Sequence, residues 1–180
     1  MKLTTTPWGH PQQQTQIGEG IVVVSTAGHG GIWLSPIRWA DFSALFPTFK
    51  PFAGPPWLEE DCDVCLAALA FPSAFSTQAV ANAVEMVINY GGSNGDYFKE
   101  AKAWLQTPAA ERVRSIHAQA TAENANKWER GSMGTSGQGW SVCLTNTTTK
   151  ETKREQFTDY PTQQFYTEAE LEALREEVTA

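Results

Sequence analysis

The side chain best suited by its type to chemistry is His29, which lies among glycines in the segment Gly-His-Gly-Gly at residues 28–31. An imidazole can act as a general base or bind a metal ion, and the backbone amides of a glycine-rich turn can hold an anion. The segment lacks the GxGxxG and GxxxxGK patterns of nucleotide-binding loops. A tight hairpin with a histidine at its tip explains the same residues without chemistry, so both interpretations stay open.

A second group of candidates is the acidic run Glu59, Glu60, Asp61 and Asp63. Carboxylates bind divalent cations and act in pairs as general acid and base. Apolar residues recur at helical spacing over residues 58–70 and predict a helix whose first turn holds these acids, where the helix dipole favours them. An acidic surface can also imitate phosphates and occupy a basic groove on a nucleic-acid-binding partner. The run therefore has a chemical, a structural and a partner-binding interpretation.

The three cysteines do not form a recognisable chemical site. Cys62 and Cys65 have the CxxC spacing, but a structural zinc site requires a second pair, which Cys143 alone cannot supply. Acidic neighbours disfavour the thiolate that redox catalysis requires. The sequence contains neither the Gly-x-Ser-x-Gly motif of serine hydrolases nor the His-Glu-x-x-His motif of zinc peptidases. We therefore expect no catalytic residues, no metal and no cofactor.

A hairpin and a helix start are the elements that must position these candidates. The β-branched run that ends near Ala27 and the short run Ile32-Trp33-Leu34 predict a hairpin around the glycine turn. Residues 140–145 and 151–158 predict a second hairpin, and the remaining periodic segments predict helices. We expect an α+β fold in which a small antiparallel sheet of two hairpins packs against a layer of about four to six helices.

Chain length and composition predict a single domain over residues 1–180. The chain is 41% hydrophobic and has seven tryptophans, which suffices for one sizeable core. Residues 1–15 are polar and predict an extended lead-in, and a helix is predicted from residue 107 to about residue 128. Residues 131–139 are rich in glycine and serine and predict a flexible loop.

Charge, cysteine content and hydropathy limit the classes of partner and the cellular compartment that we expect. A formal net charge of −7 and a pI near 4.9 disfavour attraction to a phosphate backbone, so no direct nucleic-acid binding is expected. An odd number of cysteines and an N-terminus without the apolar core of a signal peptide indicate a reducing cytoplasm. No segment approaches the roughly 18 consecutive apolar residues of a membrane-spanning helix, so no membrane association is expected.

Three ordered motifs in the first half of the chain resemble an uncharacterised domain family encoded on phages and plasmids. They are Thr-Pro-Trp-Gly at residues 6–9, Ser-Thr-Ala-Gly-His-Gly-Gly at 25–31 with Leu-Ser-Pro at 34–36, and Trp-Leu-Glu-Glu-Asp-Cys-Asp at 57–63 with Ala-Phe-Pro at 70–72. Residues 30–36 also resemble ArdB-type antirestriction proteins, in which a Gly-Gly turn precedes an aromatic residue, a leucine and a helix-opening proline. His29 departs from that pattern, which has a polar residue before Gly-Gly. The resemblance implies a mobile-element origin.

This resemblance and the acidic composition lead to an expected function. Small acidic cytoplasmic proteins of mobile elements often block host immunity, so we expect an anti-CRISPR or antirestriction inhibitor. It is expected to bind a host CRISPR effector or restriction complex in the host bacterial cytoplasm, as a monomer or homodimer, and to block target-DNA engagement. The expected partner-binding residues are Glu59, Glu60, Asp61, Asp63, Gly28, His29, Gly30 and Trp33.

Two alternatives from other functional classes remain open. One is a hydrolase or nucleotide-modifying enzyme with His29 as base and Glu59, Glu60 or Asp61 as ligand or acid, which requires His29 and the helix start at residues 59–63 to converge within a few ångströms of a pocket. The other is a phage structural or assembly protein, which requires a stable homo-oligomer with a large apolar interface.

Overall fold

The computed structural model of the protein describes residues 2–90, 97–136 and 139–179, without the side chains of residues 136 and 176–179. Residue contacts divide the chain into two compact units, unit 1 from Met1–Ala120 and unit 2 from Thr121–Ala180. Each unit has its own cluster of buried hydrophobic side chains. The structure thus has two compact units where chain length predicted one domain, because length alone limits the number of units only loosely.

A four-stranded antiparallel sheet forms one part of unit 1. Its strands follow chain order and are β1 (Gln13–Gly18), β2 (Ile21–Ser25), β3 (Gly30–Leu34) and β4 (Trp57–Glu59). The predicted hairpin around the glycine turn is confirmed as β2 and β3, in which Val22 pairs with Trp33. Strand β1 takes up residues 13–15 of the predicted lead-in, so that only the preceding residues lie outside the sheet.

Helices make up most of the rest of unit 1. They are α1 (Pro36–Leu45), α2 (Val64–Ala70), α3 (Thr77–Asn89), α4 (Lys99–Leu105) and α5 (Glu111–Glu123), and α5 continues past the unit boundary. The predicted serine caps are confirmed, because Ser35 accepts a hydrogen bond from the Arg38 amide and Ser76 accepts one from the Ala79 amide. The glycine pair at residues 91–92, predicted to end α3, and Asp96, predicted to begin the next helix, lie outside the described residues.

Helix α2 lies at the centre of the main core. Residues 65–69 are buried on every side of this short helix, which therefore has no solvent-facing stripe. Ile32 and Leu58 from the sheet and Phe42 from α1 are each at most 1% exposed in the same cluster. Burial of side chains of this size contributes about 1.5–3 kcal/mol each, so this cluster is the main source of stability in unit 1.

Two predicted helices have different bounds in the structure. The helix predicted over residues 58–70 begins only at Val64, because Leu58 and Glu59 pair with β3 as part of β4. The helix predicted to reach about residue 128 ends at Glu123, and Trp128 instead begins a strand of unit 2. In both cases long-range strand pairing replaces a local helical pattern, which sequence periodicity cannot detect.

The outer face of the unit 1 sheet points away from the main core. Its residues include Val22, Val24, Gly31, Trp33 and Trp57. Val22 and Val24 are buried on this face although neither belongs to the core cluster. The Trp8 ring covers Gly31, since a Cβ atom at Gly31 would lie 2.4 Å from Trp8 Cη2. Trp8 also meets the Trp57 ring edge to face, with 5.7 Å between the ring centroids. The N-terminal segment is thereby anchored across the sheet.

Unit 2 is a second antiparallel sheet with one helix. Its strands are β5 (Trp128–Ser136), β6 (Gly139–Asn146), β7 (Thr152–Phe157) and β8 (Phe165–Tyr166), in the order β7-β6-β5-β8, and its helix is α6 (Glu168–Thr179). The predicted second hairpin is confirmed as β6 and β7. The predicted capping box is also confirmed, because the Thr167 amide donates to Glu170 Oε2 and the Glu170 amide donates to Thr167 Oγ1.

The prediction of a flexible loop over residues 131–139 is wrong for residues 131–136 and for Gly139, which form strands. Residues 131–136 belong to β5, Gly139 begins β6, and residues 137 and 138 lie outside the described residues. Strand β5 pairs with β6 on one side and with β8 on the other, with a register irregularity between Arg130 and Met133. Because main-chain hydrogen bonds hold this ladder, a segment poor in large side chains can still form a strand.

The fold class is α+β, as predicted. The described residues contain six helices and two antiparallel four-stranded sheets, and the two predicted hairpins lie in different sheets and not in a shared one. Among the helices of the described ranges, none combines the length and the apolarity needed to cross a membrane.

The close approach of β4 and Trp8 to Gly31 gives a test of this architecture. In Gly31→Ala the new Cβ would lie 2.3 Å from the Leu58 carbonyl oxygen, so the β3–β4 pairing must shift. We expect the free energy of unfolding to fall by about 1–3 kcal/mol. The control Gly28→Ala places a Cβ with nothing within 4 Å and is expected to change stability by less than about 0.5 kcal/mol. Urea denaturation measures both, and equal stabilities would contradict this packing.

Candidate functional site

The tip of the β2–β3 hairpin is held by Thr26. Its hydroxyl donates to the His29 carbonyl oxygen at 2.7 Å and accepts from the His29 amide at 3.2 Å. The Thr26 amide donates to the same carbonyl oxygen at 2.9 Å. This threonine turn leaves Gly28 and His29 exposed at the start of β3. The glycines alone predicted this turn, and the role of Thr26 was not predicted, although its position three residues before His29 was the available signal.

Strand pairing brings the acidic run to this tip. Gly31 of β3 pairs with Glu59 of β4, and the Glu60 amide donates to the Gly30 carbonyl oxygen at 3.2 Å. A Cβ atom at Gly30 would lie 2.5 Å from Glu60 Oε2, so the Glu60 carboxylate lies directly against the β3 backbone. As a result, one ring nitrogen of His29 and one carboxylate oxygen each of Glu59 and Glu60 lie within 4.8 Å of one another. These three side chains therefore converge, which is one of the two conditions of the enzyme alternative, the other being a pocket beside them.

Glu59 is held in a fixed position within this group. Its side chain is only 8% exposed. Its Oε2 atom accepts hydrogen bonds from the Asp61 amide at 2.9 Å and the Cys62 amide at 3.4 Å. These amides orient one oxygen of the carboxylate, while Oε1 has no hydrogen bond to any other described residue. Glu59 is thus an oriented and largely buried acid.

Asp63 has a structural role. It is completely buried, and its Oδ2 accepts from the Phe52 amide at 3.0 Å and the Glu59 amide at 3.3 Å. Its Oδ1 accepts a hydrogen bond from the Tyr97 hydroxyl. These three donors compensate the loss of hydration that a buried carboxylate suffers. The expectation that Asp63 contacts a partner is therefore wrong, because no partner can reach it in the folded chain.

Burial and negative charge around Asp63 also govern its titratable neighbours. Burial, together with the hydrogen bond to Asp63, raises the pKa of the Tyr97 hydroxyl. Burial and the charge of Asp63 raise the pKa of Cys65 to about 12. Partial burial and the charge of Glu59 likewise raise the pKa of Cys62. Both thiols are therefore held in the protonated form, which is the unreactive one.

The predicted partner-binding residues differ widely in accessibility. Trp33 is half-buried on the outer face, opposite Trp57. The buried members are Gly30, Glu59 and Asp63. We define the acidic edge as the exposed members of the predicted set, which are Gly28, His29, Glu60 and Asp61. The carboxylates of Glu60 and Asp61 and the ring of His29 are the side chains of this edge that project into solvent.

The charge of this region is not balanced by neighbouring cations. In the part of the chain that the structure describes, no lysine or arginine forms an ion pair with Glu59, Glu60, Asp61 or Asp63. Acidic side chains elsewhere in unit 1, such as Asp41 and Glu111, do have arginine partners. The acidic edge consequently has a local negative potential that attracts a cation or a basic surface.

The buried hydrogen bond between Tyr97 and Asp63 can be tested by a matched pair of substitutions. Tyr97→Phe leaves one oxygen of a buried carboxylate without its donor, and we expect a loss of about 1–3 kcal/mol in the free energy of unfolding. Tyr90→Phe removes a hydroxyl that has no hydrogen bond among the described residues, in a ring 6.2 Å from that of Tyr97, and should cost less than about 0.5 kcal/mol. Chemical denaturation compares the two, and similar losses would show that the Asp63 bond contributes little.

Comparison with known proteins places the site in a defined family. Residues 1–126 match the family described as a domain of unknown function, DUF7007. The match covers unit 1 with the whole candidate site and ends just beyond the unit boundary. No curated protein and no solved structure matches the chain. The similarity to phage, plasmid and ArdB-type proteins stays a prediction. Because the match spans well over half of the sequence, the chain belongs to the DUF7007 family.

Proposed function

We propose that the protein is a mobile-element anti-defence protein that binds and inhibits a host CRISPR effector or restriction complex. In this proposal it acts in the host bacterial cytoplasm, as a monomer or homodimer, and blocks target-DNA engagement by protein–protein binding. The observation that supports it is the acidic edge, where exposed carboxylates that have no basic partner among the described residues lie at one end of the sheet.

Charge complementarity is the first argument for such a partner. Protein surfaces that engage DNA are rich in lysine and arginine, because they neutralise phosphates. Glu60 and Asp61 are exposed and have no lysine or arginine ion pair among the described residues, so they are available to a basic surface of this kind. The net charge of −7 favours the same encounter and disfavours direct contact with DNA.

Aromatic side chains beside the acidic edge are the second argument. Trp33 and Trp57 form a cross-strand pair two positions along β3 and β4 from the pair of Gly31 with Glu59. Both rings therefore lie on the same sheet face as the Glu59 side chain. Trp8, Trp33 and Trp57 are all half-buried, so part of each ring reaches solvent. Tryptophan is enriched in the centres of protein interfaces and charge at their rims, which matches this arrangement.

The test reverses the charge of the two exposed carboxylates. Glu60→Lys combined with Asp61→Lys changes the net charge by four at positions whose side chains make no hydrogen bond to other described residues. We expect inhibition to fall by at least about tenfold, since like charges placed across an interface cost several kcal/mol. The matched control, Glu19→Lys with Glu151→Lys, makes the same charge change at two exposed positions outside the acidic edge and should retain inhibition.

We measure phage plating efficiency on hosts with active CRISPR and restriction systems. In parallel, the tagged protein is used to pull down the CRISPR effector and the restriction complex of each host. Restored plating by the wild-type chain, lost in the double variant and kept in the control, supports the proposal. Unchanged plating in every tested host, or equal inhibition by the double variant, would contradict it.

A second candidate function is a hydrolase or nucleotide-modifying enzyme. The observation that favours it is the convergence of His29 with Glu59 and Glu60, whose candidate ligand atoms lie within 4.8 Å of one another. In this hypothesis His29 acts as general base towards a water or hydroxyl nucleophile, and Glu59 or Glu60 acts as acid or ligand. The exposed position of His29 at the hairpin tip leaves it open to a substrate.

Turnover of a nucleotide and phosphoester panel tests this candidate. His29→Ala is expected to lower the rate by about 10²–10⁴-fold, the usual contribution of a general base. His10→Ala replaces another exposed histidine of unit 1 and should leave the rate unchanged. Absence of turnover by the wild-type chain, or full activity in His29→Ala, would exclude the enzyme hypothesis for these substrates.

A further inference from the structure

His29, Glu59 and Glu60 form a set of mixed ligands that two separate strands bring together. One candidate ligand atom from each side chain lies within 4.8 Å of the other two. The pairing of Gly31 with Glu59 and the hydrogen bond from the Glu60 amide to the Gly30 carbonyl oxygen fix the backbone on both sides. A nitrogen ligand and two carboxylate oxygens on a rigid backbone are a donor set found in protein metal sites.

The spacing of these atoms suits a small ion. Zinc bonds of about 2.0–2.2 Å to nitrogen and oxygen place tetrahedral ligand atoms roughly 3.3–3.6 Å apart. From separations of at most 4.8 Å, the ligand atoms need to close by no more than about 1.5 Å. His29 and Glu60 are exposed and can make this adjustment by rotation of their side chains, while Glu59 is buried and stays in place.

Glu59 has one carboxylate oxygen that is fixed in position and accepts no hydrogen bond from the described residues. Its Oε2 is occupied by the Asp61 and Cys62 amides, which leaves Oε1 as the oxygen without a hydrogen bond among the described residues. The His29 ring and the Glu60 carboxylate likewise have no hydrogen bond or ion pair with described residues. Two neighbouring carboxylates and a ring nitrogen attract a cation that lies between them.

We infer that His29, Glu59 and Glu60 bind one divalent transition-metal ion, with Zn²⁺ the best match to the donor set. The imidazole nitrogen favours Zn²⁺ over the hard ions Mg²⁺ and Ca²⁺, which take oxygen ligands. Three protein ligands leave a coordination position open to water or to a group from a partner. This assignment departs from the sequence-based expectation of no metal. It is independent of the inhibitor function, and it is an alternative to the general-base role of His29 in the enzyme candidate, because a ring nitrogen bound to a metal cannot accept a proton.

The test measures metal binding and not activity, so that its outcome is separate from the plating and turnover assays. The full-length chain, with its purification tag removed and stripped of metal by dialysis against a chelator, is titrated with Zn²⁺ in a calorimeter under reducing conditions. Parallel titrations use Mg²⁺ and Ca²⁺. We expect one Zn²⁺ per chain and at least about tenfold weaker binding of the two hard ions.

Two variants remove ligands without disturbing the buried hydrogen bonds. His29→Ala and Glu60→Gln are each expected to weaken Zn²⁺ binding by at least about tenfold, as loss of groups in a metal site commonly does. Glu59 is left unchanged because its carboxylate holds the turn. His10→Ala, at another exposed histidine of unit 1, and Cys62→Ser, at the neighbouring thiol, serve as controls and should bind like the wild-type chain. Circular dichroism verifies that all variants fold.

Loss of binding in both ligand variants with retention in both controls supports the site. No Zn²⁺ binding by the wild-type chain would overturn it. Wild-type affinity in His29→Ala and Glu60→Gln would also overturn it, because the ion would then be bound elsewhere. Loss of binding in Cys62→Ser would equally contradict the assigned ligand set, since it would identify a thiolate as a ligand.

Discussion

The antiparallel pairing of Gly31 with Glu59 is the contact on which the candidate site depends. It joins two segments that are 28 residues apart in sequence and places the histidine tip of one hairpin against the acidic end of a three-residue strand. A strand as short as β4 is weak by itself, so its position depends on what surrounds it. Trp8 covers Gly31 from the outer face, and Leu58 is fully buried in the core on the other.

Asp63 contributes to the same arrangement from inside the unit. A buried carboxylate is unfavourable unless donors surround it, and here the donors come from residue 52, from β4 and from Tyr97. The donor from β4 is the Glu59 amide, so Asp63 holds in place the residue whose side chain faces His29. Within one acidic run, the exposed Glu60 and Asp61 are available for binding, whereas Asp63 supports the backbone that presents them. Acidic residues of one run thus have different roles, surface exposure for Glu60 and Asp61 and backbone support for Asp63, because their burial differs.

Local signals in the sequence predicted much of the fold. The serine caps of α1 and α3, the capping box of α6 and the β2–β3 hairpin depend on neighbouring residues and were correctly predicted. The strand β4 and the glycine-rich β5 depend on partners distant in sequence, and local patterns predicted a helix and a loop there. The burial of Asp63 depends on Tyr97, 34 residues away, which no local pattern indicates. His29 and the acids were identified as candidates, but their convergence required the register of β3 and β4.

The hairpin tip and the end of β4 form one site. The most direct measurement is a crystal structure of the full chain grown with Zn²⁺, with diffraction recorded at the zinc absorption edge. We expect β4 to pair with β3 in the register of Gly31 with Glu59, and one anomalous peak to lie among His29, Glu59 and Glu60. A different register that separates His29 from the two glutamates, or a zinc peak at other residues only, would contradict it.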